Sequence, residues 1–376
     1  MAARPFTAVR GWLTTRRLVE AGLAGVAAVA IAVLILAQQG QLWSGVSVED
    51  SRAGYLLSIS CADDGVCMAL SQDHRILTNR GTEGSWTLAG PLPGLGDTHD
   101  AIAVTCFDLG CLASSSTALY ETTSMGSRWK SVWSGPASWQ LGYPTCTPSG
   151  SFCMDFGNAF DDRAGEREAI VTINNPVGVG GSRPTIKVHY WPKYLRRMEG
   201  IVSASCPTPS ICEGIDPNGL FRTNDGGSHW HLQLSFASSN GADWNIGDCP
   251  SATTCIVGGG SANFAYTHNG GASWHLVATP WTYVAGGFLA EGSVTGISCD
   301  TGSHCLAAIS ESVDPAHSGF VLETTDGGAS WSQQQPPTFA DLFGLSCTQD
   351  MGCWTGGGSG YPSSSDRAVL FHSLEK

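Results

Sequence analysis

Cysteine is the residue whose type and spacing point most directly to chemistry in this sequence of 376 residues. The 14 cysteines fall into seven local pairs, with four to six residues between the two members of each pair. The pairs are Cys61/Cys67, Cys106/Cys111, Cys146/Cys153, Cys206/Cys212, Cys249/Cys255, Cys299/Cys305 and Cys347/Cys353. Zinc sites need closer spacings and clustered ligands, whereas an even-numbered set in an exported protein is typical of disulfides. Each bridge is expected to join the two arms of a β-hairpin, since directly opposed Cα atoms lie within disulfide range.

Histidine and serine motifs give weaker signals. His229 and His231 flank Trp230, so they would share one face of a strand, as metal ligands can. Histidines exposed beside a turn are the commoner case, and we predict no metal site here. Residues 357–361 (GGSGY) do not form a nucleophile elbow, because Tyr361 stands where that motif requires glycine.

Carboxylates give no catalytic constellation either. Asp161/Asp162 and Glu166/Glu168 lie in a polar insertion, where we expect them to stay solvated. A glycosidase needs two carboxyl groups that face each other across a cleft, and spacing alone does not show that. The sequence therefore nominates no catalytic residue, no metal ligand and no cofactor.

The elements that would position any site are indicated by an eight-residue turn motif. It reads TNDGGSHW at 223–230, THNGGASW at 267–274 and TTDGGASW at 324–331. Asp or Asn can hydrogen-bond the backbone of its own turn, glycine supplies a positive φ, and Trp opens the next strand. The positions assigned to this structural turn are Asp225, Gly227, Trp230, Asn269, Gly271, Trp274, Asp326, Gly328 and Trp331.

Repetition predicts the fold. The first cysteines of successive pairs are roughly 40–60 residues apart, the period of a four-stranded propeller blade. With 48 glycines and only 14% charged residues, the chain suits many short strands and tight turns. We predict an all-β, seven-bladed β-propeller whose third blade, from Tyr143, lacks the turn motif. The last blade is one strand short, and we expect residues 42–48 to supply that strand; a flexible linker is the alternative.

The amino terminus predicts a membrane anchor. Residues 18–37 form an apolar run of the roughly 20 residues that a spanning helix needs. Three arginines lie just before this run, and no Lys or Arg follows it until Arg52, which places the amino terminus in the cytoplasm. We therefore expect a cytoplasmic tail at 1–17 and an extracytoplasmic domain at 38–376, held at the cell membrane by a single-pass transmembrane helix. A cleaved signal peptide is the alternative.

The charge distribution limits the classes of partner that the protein is expected to bind. The formal net charge is −13; residues 1–37 contribute +3, which leaves −16 for the remainder. A domain this acidic repels phosphate backbones, so nucleic acid is excluded as an expected partner. The acidic surface serves solubility or captures a cation or a basic ligand.

The turns at 223–230, 267–274 and 324–331 resemble the Asp-box, or BNR, repeats of sialidase-like, sortilin-type and photosystem II assembly-factor propellers. The resemblance covers about residues 42–373 and implies a propeller. The repeat itself is a structural turn in proteins of unrelated function, so it does not imply an activity. A sialidase would also need a three-arginine clamp, and no spacing nominates three arginines of this chain.

In propellers, the hairpins between paired cysteines and the Asp-type turns would lie on one face, here named the cysteine face. Loops between strands two and three, and between blades, lie on the opposite loop face. The candidate binding residues there are Trp139, Tyr143, Trp191, Tyr194, Arg196, Arg197, Trp244, Trp281, Tyr283 and Tyr361. Aromatic residues in surface loops suit protein or carbohydrate recognition.

Together these patterns predict a membrane-anchored extracytoplasmic propeller that acts as a non-catalytic binding or assembly module for a protein or glycan ligand. A sialidase-like or other glycan-acting hydrolase is one alternative. A photosystem-assembly-factor-like scaffold is another.

Overall fold

Seven antiparallel sheets account for the strands of the described residues in this computed structural model. The structure describes residues 43–46, 48, 54–80, 85–94, 101–161, 165–178, 183–191, 200–236, 243–260, 262–277, 292–310, 319–334, 341–350, 352–358 and 367–373. Contacts divide the chain into Met1–Leu42 and Trp43–Lys376, and the first unit, with the predicted anchor, lies outside the described residues. In the part of the chain that the structure describes, no helix has the length and apolar character needed to cross a membrane.

The first three blades follow one another in the chain, each built from neighbouring strands. Blade 1 contains β2 (Leu56–Cys61), β3 (Val66–Ser71), β4 (Ile76–Arg80) and β5 (Thr87–Leu88). Blade 2 contains β6 (Ala103–Phe107), β7 (Gly110–Ser114), β8 (Ala118–Thr122) and β9 (Lys130–Ser134). Blade 3 contains β10 (Trp139–Leu141), β11 (Thr145–Cys146), β12 (Phe152–Asp161), β13 (Gly165–Asn174) and β14 (Thr185–Tyr190). It is irregular, as predicted, because its innermost strand is split into β10 and β11, both paired with β12.

The next three blades repeat the same order from the inner to the outer strand. Blade 4 contains β15 (Ser203–Ser205), β16 (Cys212–Asp216), β17 (Gly219–Thr223) and β18 (His231–Ser235). Blade 5 contains β19 (Trp244–Asp248), β20 (Cys255–Gly259), β21 (Phe264–Thr267) and β22 (His275–Val277). Blade 6 contains β23 (Ser293–Cys299), β24 (Cys305–Ser310), β25 (Phe320–Thr324) and β26 (Ser332–Gln334).

Blade 7 combines the two ends of the propeller. It contains β27 (Asp341–Thr348), β28 (Gly352–Gly358), β29 (Ala368–Ser373) and, as its outer strand, β1 (Trp43–Val46). Trp43 pairs with Ser373 and is only 2% exposed. Val48 bridges in parallel to Trp86 of blade 1. The segment that follows the predicted anchor is therefore an integral outer strand, and it also touches the neighbouring blade.

All 14 cysteines form the seven predicted local disulfides, and each bridge links the inner strand of its blade, or the residue just after that strand, to the next strand. The Cα atoms of each pair lie 4.0–4.1 Å apart. The chain-entropy model gives such short loops only about 2 kcal/mol each, so the bridges reinforce hairpins that the sheets already define. In blade order the bridges are Cys61–Cys67, Cys106–Cys111, Cys146–Cys153, Cys206–Cys212, Cys249–Cys255, Cys299–Cys305 and Cys347–Cys353.

The second cysteine of each pair is also a core residue, in addition to its predicted role as a staple across a hairpin. Each of the seven is at most 4% exposed, and several pack against the neighbouring blade. Cys67 shares a cluster with Trp354 of blade 7, and Cys153 shares one with Phe107 of blade 2. Because these sulfur atoms are shielded from solvent, they belong to the architecture and not to a binding or redox site. The buried set is Cys67, Cys111, Cys153, Cys212, Cys255, Cys305 and Cys353.

The repeated turn is held by a small side-chain network. In blade 4, Thr223 Oγ1 donates to Asp225 Oδ1 at 2.9 Å and accepts from the Gly227 N–H at 2.9 Å. The same Asp225 oxygen accepts from the His229 N–H at 2.8 Å. Gly226 and Gly227 have φ values of +66° and +89°, which glycine adopts without steric cost. The turn therefore uses the threonine hydroxyl, one side-chain oxygen at the aspartate position and two left-handed residues.

That requirement explains the sequence variation. Around Asn269 the same hydrogen bonds recur, because its single amide oxygen accepts from Thr267 at 2.9 Å and from the Ser273 N–H at 2.9 Å. In blade 2, Ser124 takes the position of the aspartate and accepts from the Arg128 N–H at 3.0 Å. The degenerate sequence of blade 2 thus forms a related turn.

Turns and cysteine hairpins lie on the same face, as predicted. In each of four blades a turn N–H donates to a carbonyl of the cysteine hairpin in the same blade, over 2.9–3.0 Å. The bonds run from Asn175 to Ser151, Gly226 to Ser210, Gly270 to Thr253 and Gly327 to Ser303. Blade 3 makes this contact without the motif, so the contact is a property of the fold rather than of one sequence.

The tryptophan of the turn packs against the preceding blade. Trp230 lies edge-on to Phe156 of blade 3 with ring centroids 5.8 Å apart, and Trp331 stacks on Phe264 of blade 5 at 4.3 Å. Such aromatic pairs add about 0.5–1.5 kcal/mol beyond the burial of their area. These tryptophans pack between neighbouring blades, so the turn motif has a structural role.

Candidate functional site

A cavity of about 440 Å³ lies at the cysteine face, lined by residues from the inner strands and cysteine hairpins of all seven blades. Because every blade contributes to it, the cavity lies on the axis of the propeller; we call it the cysteine-face cavity. Its charged lining is acidic, and no Lys, Arg or His is among the described residues that line it. The four carboxylates belong to Asp63, Asp108, Asp248 and Asp300.

A ring of side chains surrounds this cavity and joins the blades. The residue before the first cysteine of each pair is Ser, Thr or Asp, namely Ser60, Thr105, Thr145, Ser205, Asp248, Ser298 and Ser346. At five junctions its side chain accepts a hydrogen bond from the backbone N–H of the first cysteine in the next blade, over 2.8–3.1 Å. The sequence prediction did not include this ring. The pattern that could have revealed it is the hydroxyl or carboxyl side chain that precedes the first cysteine of every pair.

Asp248 is the one carboxylate in this series. Its Oδ2 accepts from the Cys299 N–H at 2.9 Å, and its Oδ1 accepts from Ser205 Oγ at 3.0 Å. Burial raises the pKa of Asp248, while the hydrogen bonds from Cys299, Ser205 and Cys249 oppose that rise. A serine in the same position satisfies the corresponding cysteine N–H elsewhere in the ring, so the hydrogen bond does not require a carboxylate. Compared with serine, Asp248 adds a second acceptor oxygen, which Ser205 Oγ uses, and a group that can carry negative charge at the cavity.

Asp63 and Asp108 are neighbouring carboxylates of the cavity, and their charges interact. Asp63 Oδ1 accepts from the Gln349 N–H at 3.3 Å and so links blades 1 and 7. The pKa of Asp108 is raised by burial and then by the charges of Asp63 and Asp64. Carboxylates this close favour a positively charged ligand, because a cation relieves their repulsion. Among the described residues, no three His, Cys, Asp or Glu side chains are arranged to hold a metal ion.

Two of the aromatic residues predicted for the loop face belong to the core instead. Trp139 is 7% exposed and packs against Trp133 with ring centroids 5.5 Å apart. Trp244 is 2% exposed and stacks on Phe236 at 5.3 Å. Both begin an inner strand and point between blades, so little of either ring is left for a ligand. Counting them as loop-face surface was an error of the sequence prediction.

The remaining candidates for the loop face differ in how exposed their side chains are. Tyr143 is 52% exposed at the break between β10 and β11, so its ring is accessible. Trp191 is partly buried against Phe221 and Trp230, with ring centroids 5.6 Å and 5.3 Å away. The other predicted residues are Tyr194, Arg196, Arg197, Trp281, Tyr283 and Tyr361, and they lie outside the described residues. The structure thus describes one exposed aromatic of the predicted set.

Glu168 is not solvated, which corrects the expectation for the polar insertion. It stands on β13, where its Oε1 accepts from the Ile201 N–H at 2.7 Å and its buried Oε2 has no hydrogen-bond partner. Burial and the charge of Asp216 raise the pKa of Glu168 to about 7. Asp216 itself accepts from the Gly200 N–H at 3.1 Å. The two carboxylates lie where blades 3 and 4 meet on the loop face.

Arg222 is committed to the fold. Its Nη1 donates to Glu213 Oε1 at 2.6 Å, its Nε to Asn224 at 2.9 Å and its Nη2 to the Ala252 carbonyl of blade 5 at 2.9 Å. Because each of its three nitrogens already donates to a protein oxygen, Arg222 is a tie between blades rather than an anion clamp.

Comparisons with known proteins support the architecture. YCF48 from Cyanidioschyzon merolae matches 89% of this chain and 99% of its own, at 13% identity and a TM-score of 0.61. A structure of YCF48 bound to D1 peptide matches 89% of this chain and 98% of its own, at 11% identity and a TM-score of 0.58. The GH74 xyloglucanase from Xanthomonas campestris matches 84% of this chain and 53% of its own, at 13% identity and a TM-score of 0.57.

The chain has a seven-bladed β-propeller fold. At these identities the likeness shows the fold alone, since one fold hosts many functions. No family model and no curated protein matches the sequence. The Asp-box (BNR) likeness therefore stays a resemblance carried by the three turns.

Proposed function

We propose that this chain is a non-catalytic binding propeller, anchored in the cell membrane by residues 18–37, which holds a basic segment of a partner protein at the cysteine-face cavity. The observation that carries the proposal is Asp248. It places a partly buried carboxylate where serine satisfies the same N–H at neighbouring junctions. Desolvation of a carboxylate at a position where serine also satisfies the cysteine N–H is a cost that functional groups often carry.

Two further facts support a polypeptide ligand. The cavity volume of about 440 Å³ falls within the range of small-ligand sites, so a lysine or arginine side chain fits it. One structural neighbour is described as bound to a peptide, which shows that a propeller of similar fold takes such ligands. The loop-face residues, Tyr143 among them, stay proposed as a second contact surface for a protein or glycan.

Binding of a lysine tripeptide with blocked termini to the purified extracytoplasmic domain tests the proposal. We expect measurable binding by calorimetry that weakens as salt is added, because the attraction is ionic. Asp248→Ser restores the hydroxyl of the ring and removes the charge, so it should weaken binding about tenfold or more while the fold persists.

Asp243→Ser is the matched control, because it removes an exposed aspartate just before the same strand, at its loop-face end. It should leave the affinity unchanged. Equal affinity of the wild type and Asp248→Ser, or no binding of the tripeptide at low salt, would contradict the proposal.

A glycan-acting hydrolase is the second candidate, and Glu168 is the observation that favours it. Its pKa of about 7 suits a general acid, and Asp216 is a neighbouring carboxylate, as in the paired sites of glycosidases. Turnover of a panel of aryl glycosides that disappears in Glu168→Gln would establish this activity. The same panel without turnover leaves the non-catalytic proposal in place.

A further inference from the structure

His304 lies in the cysteine hairpin of blade 6 between two carboxylates. Its Nδ1 is 2.8 Å from Asp300 Oδ1, and its Nε2 is 3.1 Å from Glu323 Oε1. Asp300 belongs to the hairpin and lines the cysteine-face cavity, whereas Glu323 stands on β25 of the same blade. The imidazole therefore connects the rim of the cavity to the sheet behind it.

Only the protonated ring satisfies both contacts. A neutral imidazole has one N–H donor and one lone pair, so one of the two carboxylates would face a lone pair. The imidazolium donates to both oxygens at once. Burial alone lowers the pKa of His304, but the hydrogen bonds and charges of Asp300 and then Glu323 outweigh burial and raise it.

The groups around the His304 imidazole hold the hairpin in place, so deprotonation changes charge more than structure. Asp300 and Glu323 are the charged groups that act on His304 in the described part of the blade, and Glu323 also accepts from Gln334 Nε2 at 2.6 Å. The Cys299–Cys305 disulfide closes the hairpin, and Thr301 Oγ1 accepts from the His304 N–H at 2.9 Å. Because these bonds do not titrate near neutral pH, loss of the proton alters charge at the rim while the hairpin keeps its path.

We propose that His304 is a pH-dependent charge switch for the cysteine-face cavity. When protonated it neutralises Asp300; when deprotonated it leaves the rim one unit more negative, so the cavity holds cationic ligands more tightly as pH rises. The ligand part of this inference rests on the proposed function, whereas the link between His304 and its two carboxylates does not.

An NMR titration of the imidazole signals tests the link without any ligand. We expect His304 in the wild-type domain to titrate above the range of free histidine, and its midpoint to fall in both Asp300→Asn and Glu323→Gln. Asp243→Ser, the loop-face variant used above, serves as the control and should leave the His304 midpoint unchanged. A His304 midpoint at or below that of free histidine, or one that both variants leave unchanged, overturns the inference.

Binding of the same blocked lysine tripeptide on both sides of that midpoint tests the consequence. The wild type should bind about threefold or more tightly above the midpoint, and His304→Gln should lose most of this change. Equal pH dependence in both proteins overturns the switch and leaves the proposed function standing. Absence of binding at every pH overturns the proposed function and the effect on affinity, while the NMR titration still decides the His304 link.

Discussion

Ser346 Oγ of the last blade accepts a hydrogen bond from the backbone N–H of Cys61 in the first blade, over 2.9 Å and across 285 residues of sequence. The bond closes the inner ring at the junction where β1 closes the outer rim. The two ends of the propeller are therefore joined twice, once by a strand and once by a side chain.

Ser346→Ala removes the inner closure. The Cys61 N–H loses its partner, so we expect the free energy of unfolding to fall by about 1–3 kcal/mol, measured by urea denaturation. Ser303→Ala is the control, because that serine is exposed on a cysteine hairpin and its change should stay within about 0.5 kcal/mol. Similar losses in the two variants would contradict a closing role for Ser346.

Trp43→Ala tests the outer closure. Trp43 is 2% exposed in β1, and truncation of a buried tryptophan typically costs about 3–5 kcal/mol. We expect a matching loss in urea denaturation of the propeller, whereas Ser44→Ala on the same strand should cost far less. An unchanged midpoint for Trp43→Ala would mean that the segment is a dispensable linker.

Arg222→Met should be among the most damaging single changes. It leaves Glu213, 3% exposed at its side chain, without its cation, and loss of one partner of a buried pair costs about 3–5 kcal/mol. The matched control is Lys130→Met, because Lys130 also pairs with a strand glutamate but its side chain is 71% exposed. Its loss should lower the free energy of unfolding by about 1 kcal/mol or less. Equal unfolding free energies for the two variants would contradict the tie between blades 4 and 5.

Asp155 makes stability depend on pH. It is fully buried, its Oδ2 has no partner, and burial raises its pKa from 3.8 to about 7. Between about pH 4 and 7 the unfolded chain releases this proton while the folded chain keeps it. The free energy of unfolding therefore falls as pH rises through that window, by roughly 1.4 kcal/mol for each pH unit.

Asp155→Asn cannot ionise, so the stability of the wild type relative to this variant should fall through that window and level off above about pH 7. Urea denaturation at several pH values measures the difference, with exposed Asp350→Asn as the control. Parallel stability curves for the wild type and Asp155→Asn would contradict the assigned burial.

Much of the fold could be predicted because its determinants are local. The cysteine pairs, the turns around Asp225, Asn269 and Asp326, and the blade period all depend on residues close together in the chain. The outer strand β1 was predictable from a count, since the last blade lacked one strand. The burial of Trp139 and Trp244 could not be predicted. The sequence around an aromatic residue at the start of an inner strand does not show whether its ring faces a ligand or the next blade.

The candidate site shows the same division. The sequence by itself determined the acidic charge, which follows from composition. It also determined the number of blades, the disulfides and the face on which the cysteine hairpins lie, because these follow from residue spacing and strand alternation. Only the tertiary structure decided that Asp248 meets Cys299, that Ser346 meets Cys61 and that His304 lies between Asp300 and Glu323. Most of these contacts join residues far apart in the chain, and their distances and burial exist only once the ring has closed.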